Sequence, residues 1–206
     1  MIAIIDYGVG NLFSLSSSLT HLGIENIITN KKEDLENASH IILPGVGAFG
    51  DAIAKLHATG LVEPLTNEIN GGKPMLGICL GMQLLFETSD EYGTHTGLGY
   101  IKGHVKSLDF DIKSNNINLK VPHMGWNCLE IQKPENPLMK YTKQGDYVYF
   151  VHSFYAKNCE NSLVASANYG VKVPGTVANK NVYGCQFHPE KSGSVGLKIL
   201  KAFSEI

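Results

Sequence analysis

The chain has 206 residues, with 17 lysines and arginines against 19 acidic residues and a formal net charge of −2. That length is enough for one α/β unit with a full hydrophobic core. The near-neutral balance excludes the basic excess of a nucleic-acid or anionic-membrane binder, and no apolar run is long enough to span a bilayer.

The start, Met1-Ile2-Ala3-Ile4-Ile5-Asp6, lacks the basic flank and small-residue cleavage site of a signal peptide, so a cytoplasmic location is expected. The four cysteines, Cys79, Cys128, Cys159 and Cys185, form no CxxC pair. Zinc is therefore not expected, nor any other metal or cofactor. Cys128, Cys159 and Cys185 read as buried packing residues.

The first half alternates strand and helix. Ile2–Ile5 is a continuous apolar run followed by the turn Asp6-Tyr7-Gly8-Val9-Gly10-Asn11. Leu12, Leu15, Leu19 and Leu22 recur at helical spacing, with Gly23 placed as a C-cap. Ile27-Ile28 is a short strand. His40–Leu43 is another, stopped by Pro44-Gly45-Val46-Gly47. A helix is predicted over Ala48–Ala58 and ended by Gly60. Met75–Ile78 is a third buried strand, and a helix starts over Gly81–Glu87. Strands separated by helices predict an open, mostly parallel sheet with helices on both faces. After about Tyr100 the pattern is shorter and strand-rich. It predicts a smaller antiparallel part with strands over Val121–Gln132, Tyr147–Phe154 and Leu163–Ala167. A last strand, Val182–Phe187, runs into His188-Pro189-Glu190, and a helix over Gly193–Phe203 closes the chain. Residues 1–206 read as a single domain, because the chemistry draws on both halves.

The most informative segment is Gly77-Ile78-Cys79-Leu80-Gly81, a Gly-x-Cys-x-Gly turn between a strand and a helix. This is the cysteine form of a nucleophile elbow. A sharp strand-to-helix turn projects the thiol at the carboxyl edge of a parallel sheet, where α/β proteins bind ligands. The helix N-terminus beneath it favours negative charge. The Leu80 amide is placed to face an oxyanion, and Gln83 lies about one helical turn on, on the same side. A thiol nucleophile also needs a proton carrier with an orienting partner. His188-Pro189-Glu190 supplies both: residues i and i+2 of extended chain face the same way, and proline fixes the backbone between them. His123 and His152 are the only rival histidines.

Cys79 in Gly-x-Cys-x-Gly with His188-Pro-Glu190 far downstream resembles the class I glutamine amidotransferases. Further segments extend the resemblance over nearly the whole chain: Asp6–Asn11, Leu43–Asp51, Pro122-His-Met-Gly-Trp-Asn127, Tyr149–Phe154 and Phe187–Ser192. They look like those of the glutaminase subunits of imidazole glycerol phosphate synthases. The resemblance implies a Cys79–His188–Glu190 triad and an oxyanion hole from the amides of Val46 and Leu80. It implies substrate contacts by Gly47, Gln83 and Ser153, and a partner face containing Asn11, Trp126, Tyr149 and Lys191. Without it, Asn11 reads as a helix N-cap, Trp126 and Tyr149 as core aromatics, and Lys191 as a solvated charge. The implied reaction is hydrolysis of glutamine through a cysteinyl thioester. Its ammonia passes through a channel to a (β/α)8-barrel cyclase subunit, which makes imidazole glycerol phosphate and AICAR in histidine biosynthesis. Alternatives are the glutaminase subunit of another amidotransferase, a stand-alone cysteine hydrolase, and a non-catalytic scaffold.

The Pro44–Gly47 turn carries one more expectation. To turn its amide towards an oxyanion beside Cys79, the backbone here has to rotate, and β-branched Val46 resists positive φ where glycine does not. The isolated chain is then expected to rest with an incomplete oxyanion hole that a liganded partner completes.

Overall fold

The structure is a computed structural model that describes residues 1–206. In chain order its strands are β1 (Ile2–Ile5), β2 (Asn26–Thr29), β3 (His40–Leu43), β4 (Met75–Ile78), β5 (Thr88–Ser89), β6 (His95–Thr96) and β7 (His104–Ser107). They continue with β8 (His123–Cys128), β9 (Glu130–Ile131), β10 (Tyr147–His152), β11 (Phe154–Lys157), β12 (Leu163–Tyr169), β13 (Val171–Asn179) and β14 (Val182–Cys185). The helices are α1 (Leu12–His21), α2 (Lys32–Asn37), α3 (Phe49–Ala58), α4 (Val62–Asn70), α5 (Leu80–Leu84), α6 (Leu108–Ser114) and α7 (Gly193–Ser204).

Eight strands form the main sheet in the order β2-β1-β3-β4-β14-β13-β12-β9. The five from β2 to β14 run parallel, and the remaining three are antiparallel. Alternate residues of the parallel strands feed two cores. Ala3, Ile5, Ile41 and Leu43 face the layer that holds Leu35, Leu56, Leu65 and Leu84. Ile2, Ile4, Ile42, Leu76 and Ile78 face α1 and α7 through Leu15, Leu19, Ile199, Leu200 and Phe203. Both faces are covered, which is why these strands read as unbroken apolar runs. The expected doubly covered parallel sheet is present, and so is the antiparallel second half.

Several boundaries differ from expectation. The single strand expected over Val121–Gln132 is two, because β8 pairs with β10 whereas β9 joins the edge of the main sheet on β12. Tyr147–Phe154 also divides: β10 pairs with β8, the chain breaks at Ser153, and β11 pairs with β7 in a third sheet. The helix expected over Gly81–Glu87 ends at Leu84, and the strand expected to reach Phe187 ends at Cys185. The closing helix runs one residue further, to Ser204. Helices α2, α4 and α6 and the nine-residue β13 were not expected.

The elbow between β4 and α5 is packed backbone against backbone. A Cβ on Gly77 would stand 2.7 Å from the Gly81 carbonyl oxygen and 2.8 Å from Met82 Cα, and one on Gly81 would collide with the Leu43 carbonyl. Both neighbours are backbone, so neither can swing aside. Gly81→Ala is expected to cost about 1–3 kcal/mol or more, read as a lower urea midpoint at unchanged slope. It should also displace β3 from the elbow and abolish activity.

Candidate active site

Four chain segments converge at the carboxyl ends of β1, β3, β4 and β14. Cys79, the first residue after β4, has φ 54° and ψ −111°. That region is sterically disfavoured for any residue with a Cβ. The strain is held by the glycine contacts above and by two backbone bonds, Cys79 N to Cys185 O at 2.7 Å and Gln83 N to Cys79 O at 3.1 Å. The thiol opens into a cleft of about 350 Å³, where Val46, Gly47, Leu80, Gln83, Ser153 and His188 also contribute to the wall.

His188 and Glu190 face each other as the sequence predicts, but by a different backbone route. The expected extended chain is instead a 3-10 turn over Pro189–Lys191. It curls the Glu190 carboxylate back so that Oε1 lies 2.8 Å from His188 Nδ1, with both side chains only 3% exposed. Burial alone would lower the His188 pKa; the neighbouring Cys79 sulfur and the Glu190 carboxylate outweigh it and hold the imidazole up at about 9. The turn is strapped to β10. His188 N donates to Tyr149 O at 3.0 Å, Tyr149 N donates to Ser192 Oγ at 2.9 Å, and Ser192 Oγ donates to His188 O at 2.6 Å.

The Pro44–Gly47 turn packs on the elbow. Buried Tyr7 donates its hydroxyl to Pro44 O at 2.6 Å. A Cβ on Gly45 would meet Gly81 N at 2.7 Å, so the first half of the turn is clamped. Beyond it, Gly47 takes φ +95° in open space, and Val46 is exposed without entering positive φ.

The rival histidines form a structure of their own. His152 Nδ1 donates to Phe154 O at 2.9 Å, which leaves Nε2 to accept from His123 Nδ1 at 3.0 Å. His123 Nε2 in turn accepts from Asn127 Nδ2 at 3.2 Å. His123 is stacked between Phe150 and Tyr169, at ring separations of 4.6 Å and 4.0 Å. Burial pushes His123 down to about 4; burial, then the His123 charge, pushes His152 down to about 3. Both are neutral at neutral pH, and His152 lines the cleft.

The residues expected on a partner face are brought together beside the cleft. Trp126 and Tyr149 are directly opposite on β8 and β10, with rings 6.1 Å apart. Trp126 is 55% exposed and therefore no core aromatic. The same ribbon face carries exposed Met124 and Tyr147. Lys191 is exposed at the cleft rim. Asn11 precedes α1 at the cap position without a side-chain capping bond. Of the three cysteines expected to be buried, Cys159 and Cys185 are, whereas Cys128 is only half-buried at the end of β8.

Three residues at or behind the cleft escaped the sequence reading, and of these only Glu91 lines it. Gln186 is fully buried against Cys79 and Gln83. Tyr7 braces the turn. Half-buried Glu91 accepts from Phe49 N at 2.6 Å, and burial raises its pKa against that bond. No spacing signal marks any of them, because each is brought in by tertiary packing.

A strained thiol, a carboxylate-oriented histidine and a helix N-terminus are the parts that nucleophilic acyl transfer calls for. The family model for class I glutamine amidotransferases matches residues 3–205, and the chain belongs to that family. More particularly, it is 50% identical over 207 residues to the imidazole glycerol phosphate synthase subunit HisH of Bacillus subtilis, covering all of this chain and 96% of that protein. The HisH subunit of Listeria monocytogenes (strain EGD-e) is 47% identical over 206 residues, at 100% and 96% coverage. Among solved structures, one described as a glutamine amidotransferase aligns with TM-score 0.75 at 20% identity, covering 100% of this chain and 98% of that one. PurLQS from Thermotoga maritima aligns at 0.72 and 20%, covering 99% and 97%. These two likenesses show the fold.

The histidine pair predicts an acid instability with a definite sign. Both groups bind protons more weakly in the folded chain than unfolded, so their contribution is fully present above about pH 6.5. It is lost as pH falls towards about 4 and then about 3. Urea midpoints measured from pH 7.5 to 4 should decline, and His152→Gln should flatten that decline.

Proposed function

We propose that this chain is the glutaminase subunit of imidazole glycerol phosphate synthase, with Cys79 as nucleophile, His188 as proton carrier and Glu190 as its orienting acid. The observation that carries the reading is the strained Cys79 at the head of α5, beside a histidine whose other face is held by Glu190 at 2.8 Å. Residues 1–206 then act as one amidotransferase domain, since Cys79 comes from the first half and the other two groups from the second.

The sulfur attacks the side-chain amide carbon of glutamine. Negative charge gathers on the carbonyl oxygen, where the amides of Leu80 and Val46 are to receive it. His188, protonated at neutral pH, gives its proton to the leaving nitrogen, so ammonia departs and a γ-glutamyl thioester remains. Water then attacks the thioester, His188 takes its proton, and glutamate leaves with the thiol site restored. Gln83, Gly47 and Ser153 line the cleft that receives the substrate. Glu91 adds a carboxylate to the same wall, suited to the α-ammonium of glutamine.

A (β/α)8-barrel cyclase docks, in this reading, on the face marked by Asn11, Trp126, Tyr149 and Lys191. The exposed aromatic ribbon beside the cleft supports it, because apolar surface of this kind marks interfaces. Ammonia passes through a channel to the barrel and yields imidazole glycerol phosphate and AICAR. Channelling avoids the protonation that would remove ammonia's nucleophilic lone pair. Val46 held out of positive φ supports a gated oxyanion hole: one of its two donors is to be turned inward only when the liganded partner is docked.

Glutamate release is to be measured for the chain alone and with the barrel cyclase and its nucleotide. The expected rise is about 10²–10³-fold, the worth of one oxyanion donor. Full activity alone would discard the gate, and silence in both conditions would overturn the glutaminase reading. The activated rate should fall as pH rises through about 9, where His188 loses the proton it donates. Glu91→Gln is expected to raise KM for glutamine by ~10-fold with little change in kcat.

A further inference from the structure

Gln186 is 0% exposed, leaves β14 two residues before His188, and is tied by its backbone N–H to Gly175 O at 2.9 Å. Its side chain bridges two site residues. Oε1 accepts from Gln83 Nε2 at 3.0 Å, and Nε2 lies 3.9 Å from Cys79 Sγ. A primary amide can be turned end for end, so the end that faces the sulfur has to be argued.

Phe154 decides it. A backbone carbonyl only accepts, so the Gln83 atom 2.9 Å from Phe154 O is its NH2 group. The same NH2 faces Gln186, which must therefore present its oxygen there. The Gln186 NH2 is left facing Cys79. Reversing Gln83 would set its oxygen against the Phe154 carbonyl oxygen, and reversing Gln186 would set one NH2 group against the other; in a buried site either costs more than the bond it replaces. His152 Nδ1 also donates to Phe154 O, so that carbonyl is held from two sides. Both Gln83 donors are now used, and its Oε1 is the polar atom left for the cleft that Gln83 lines.

We propose that Gln186 is a positioning residue with two effects. It holds an N–H donor at the Cys79 sulfur, stabilising negative charge there. It also keeps Gln83 turned with its oxygen to the substrate, so that the site accepts a carboxamide N–H and repels the carboxylate of the product. The second effect rests on the glutaminase reading; the first rests on the thiol alone.

The test uses the purified chain, Gln186→Met and Gln186→Glu. Alkylation of Cys79 by iodoacetamide at pH 7, resolved by peptide mass, needs no turnover and no partner. Loss of the donor should slow it ~10-fold in both variants. Gln186→Glu keeps an acceptor for Gln83 and should hold KM for glutamine near the wild-type value in the complex. Gln186→Met releases Gln83 and should raise KM and strengthen inhibition by glutamate. A purely structural role would lower the stability of both variants without this split. Alkylation at the wild-type rate in either folded variant would overturn the proposal. Should neither fold, the side-chain amide resonances of Gln186 in the native chain should move when Cys79 is alkylated, and unmoved resonances would overturn it. Slowed alkylation in a chain that releases no glutamate would instead fault the glutaminase reading.

Discussion

The site depends on one constraint, the backbone of Cys79 held at positive φ between two glycines. A residue with a Cβ does not take that conformation unless its surroundings enforce it. Here the enforcement is steric. Gly77 lies against Gly81, Gly81 against the Leu43 carbonyl, and Gly45 against the Gly81 amide. Strands β3 and β4 and the head of α5 are thereby locked into one block. The thiol projects from its top edge, and the Pro44–Gly47 turn rests on it. The parallel sheet, with both faces covered, is what makes the block rigid enough to hold the strain.

Around that block, polarity is set by a few backbone carbonyls. Phe154 O receives from both His152 and Gln83, and so fixes a histidine tautomer on one side and an amide orientation on the other. Asn168 O receives from Asn127 Nδ2, closing the histidine arm at its far end. A buried network with one satisfied arrangement keeps every member in place. The cleft wall behind the proposed substrate is therefore prearranged, whereas the Val46–Gly47 half of the turn lies outside the clamp, with Val46 exposed and open space around Gly47. Fixed acceptors with one donor outside the clamp are what the proposed gate requires.

Much of this was legible in the sequence, for a physical reason. Strands β1, β3 and β4 are buried on both faces, so each appears as a bare apolar run, and the residues that follow them are the site. What was not legible lacked such a signature. Helix α2 buries only Leu35 out of six residues. Helix α4 carries Pro64 in its first turn, soon after Gly60, which reads as a stop. Strand β13 holds Pro174 and Gly175, and its pairing with β12 slips in register near there. The splits at Leu129 and Ser153 depend on which strand lies alongside, which no local pattern encodes. Glu190 was placed correctly beside His188, although the turn that brings it there is 3-10 rather than extended. Gln186 and Glu91 were missed because a lone glutamine in an apolar run and a lone glutamate in a loop acquire meaning only from their neighbours.

The proposed mechanism requires the Cys79 sulfur to carry the acyl group. The direct measurement is acid-quenched mass spectrometry of the chain during turnover of glutamine with its partner. A glutamyl adduct on the peptide containing Cys79, absent from Cys79→Ala, is the predicted result. Turnover that continues in Cys79→Ala, or an adduct on any other residue, would contradict it.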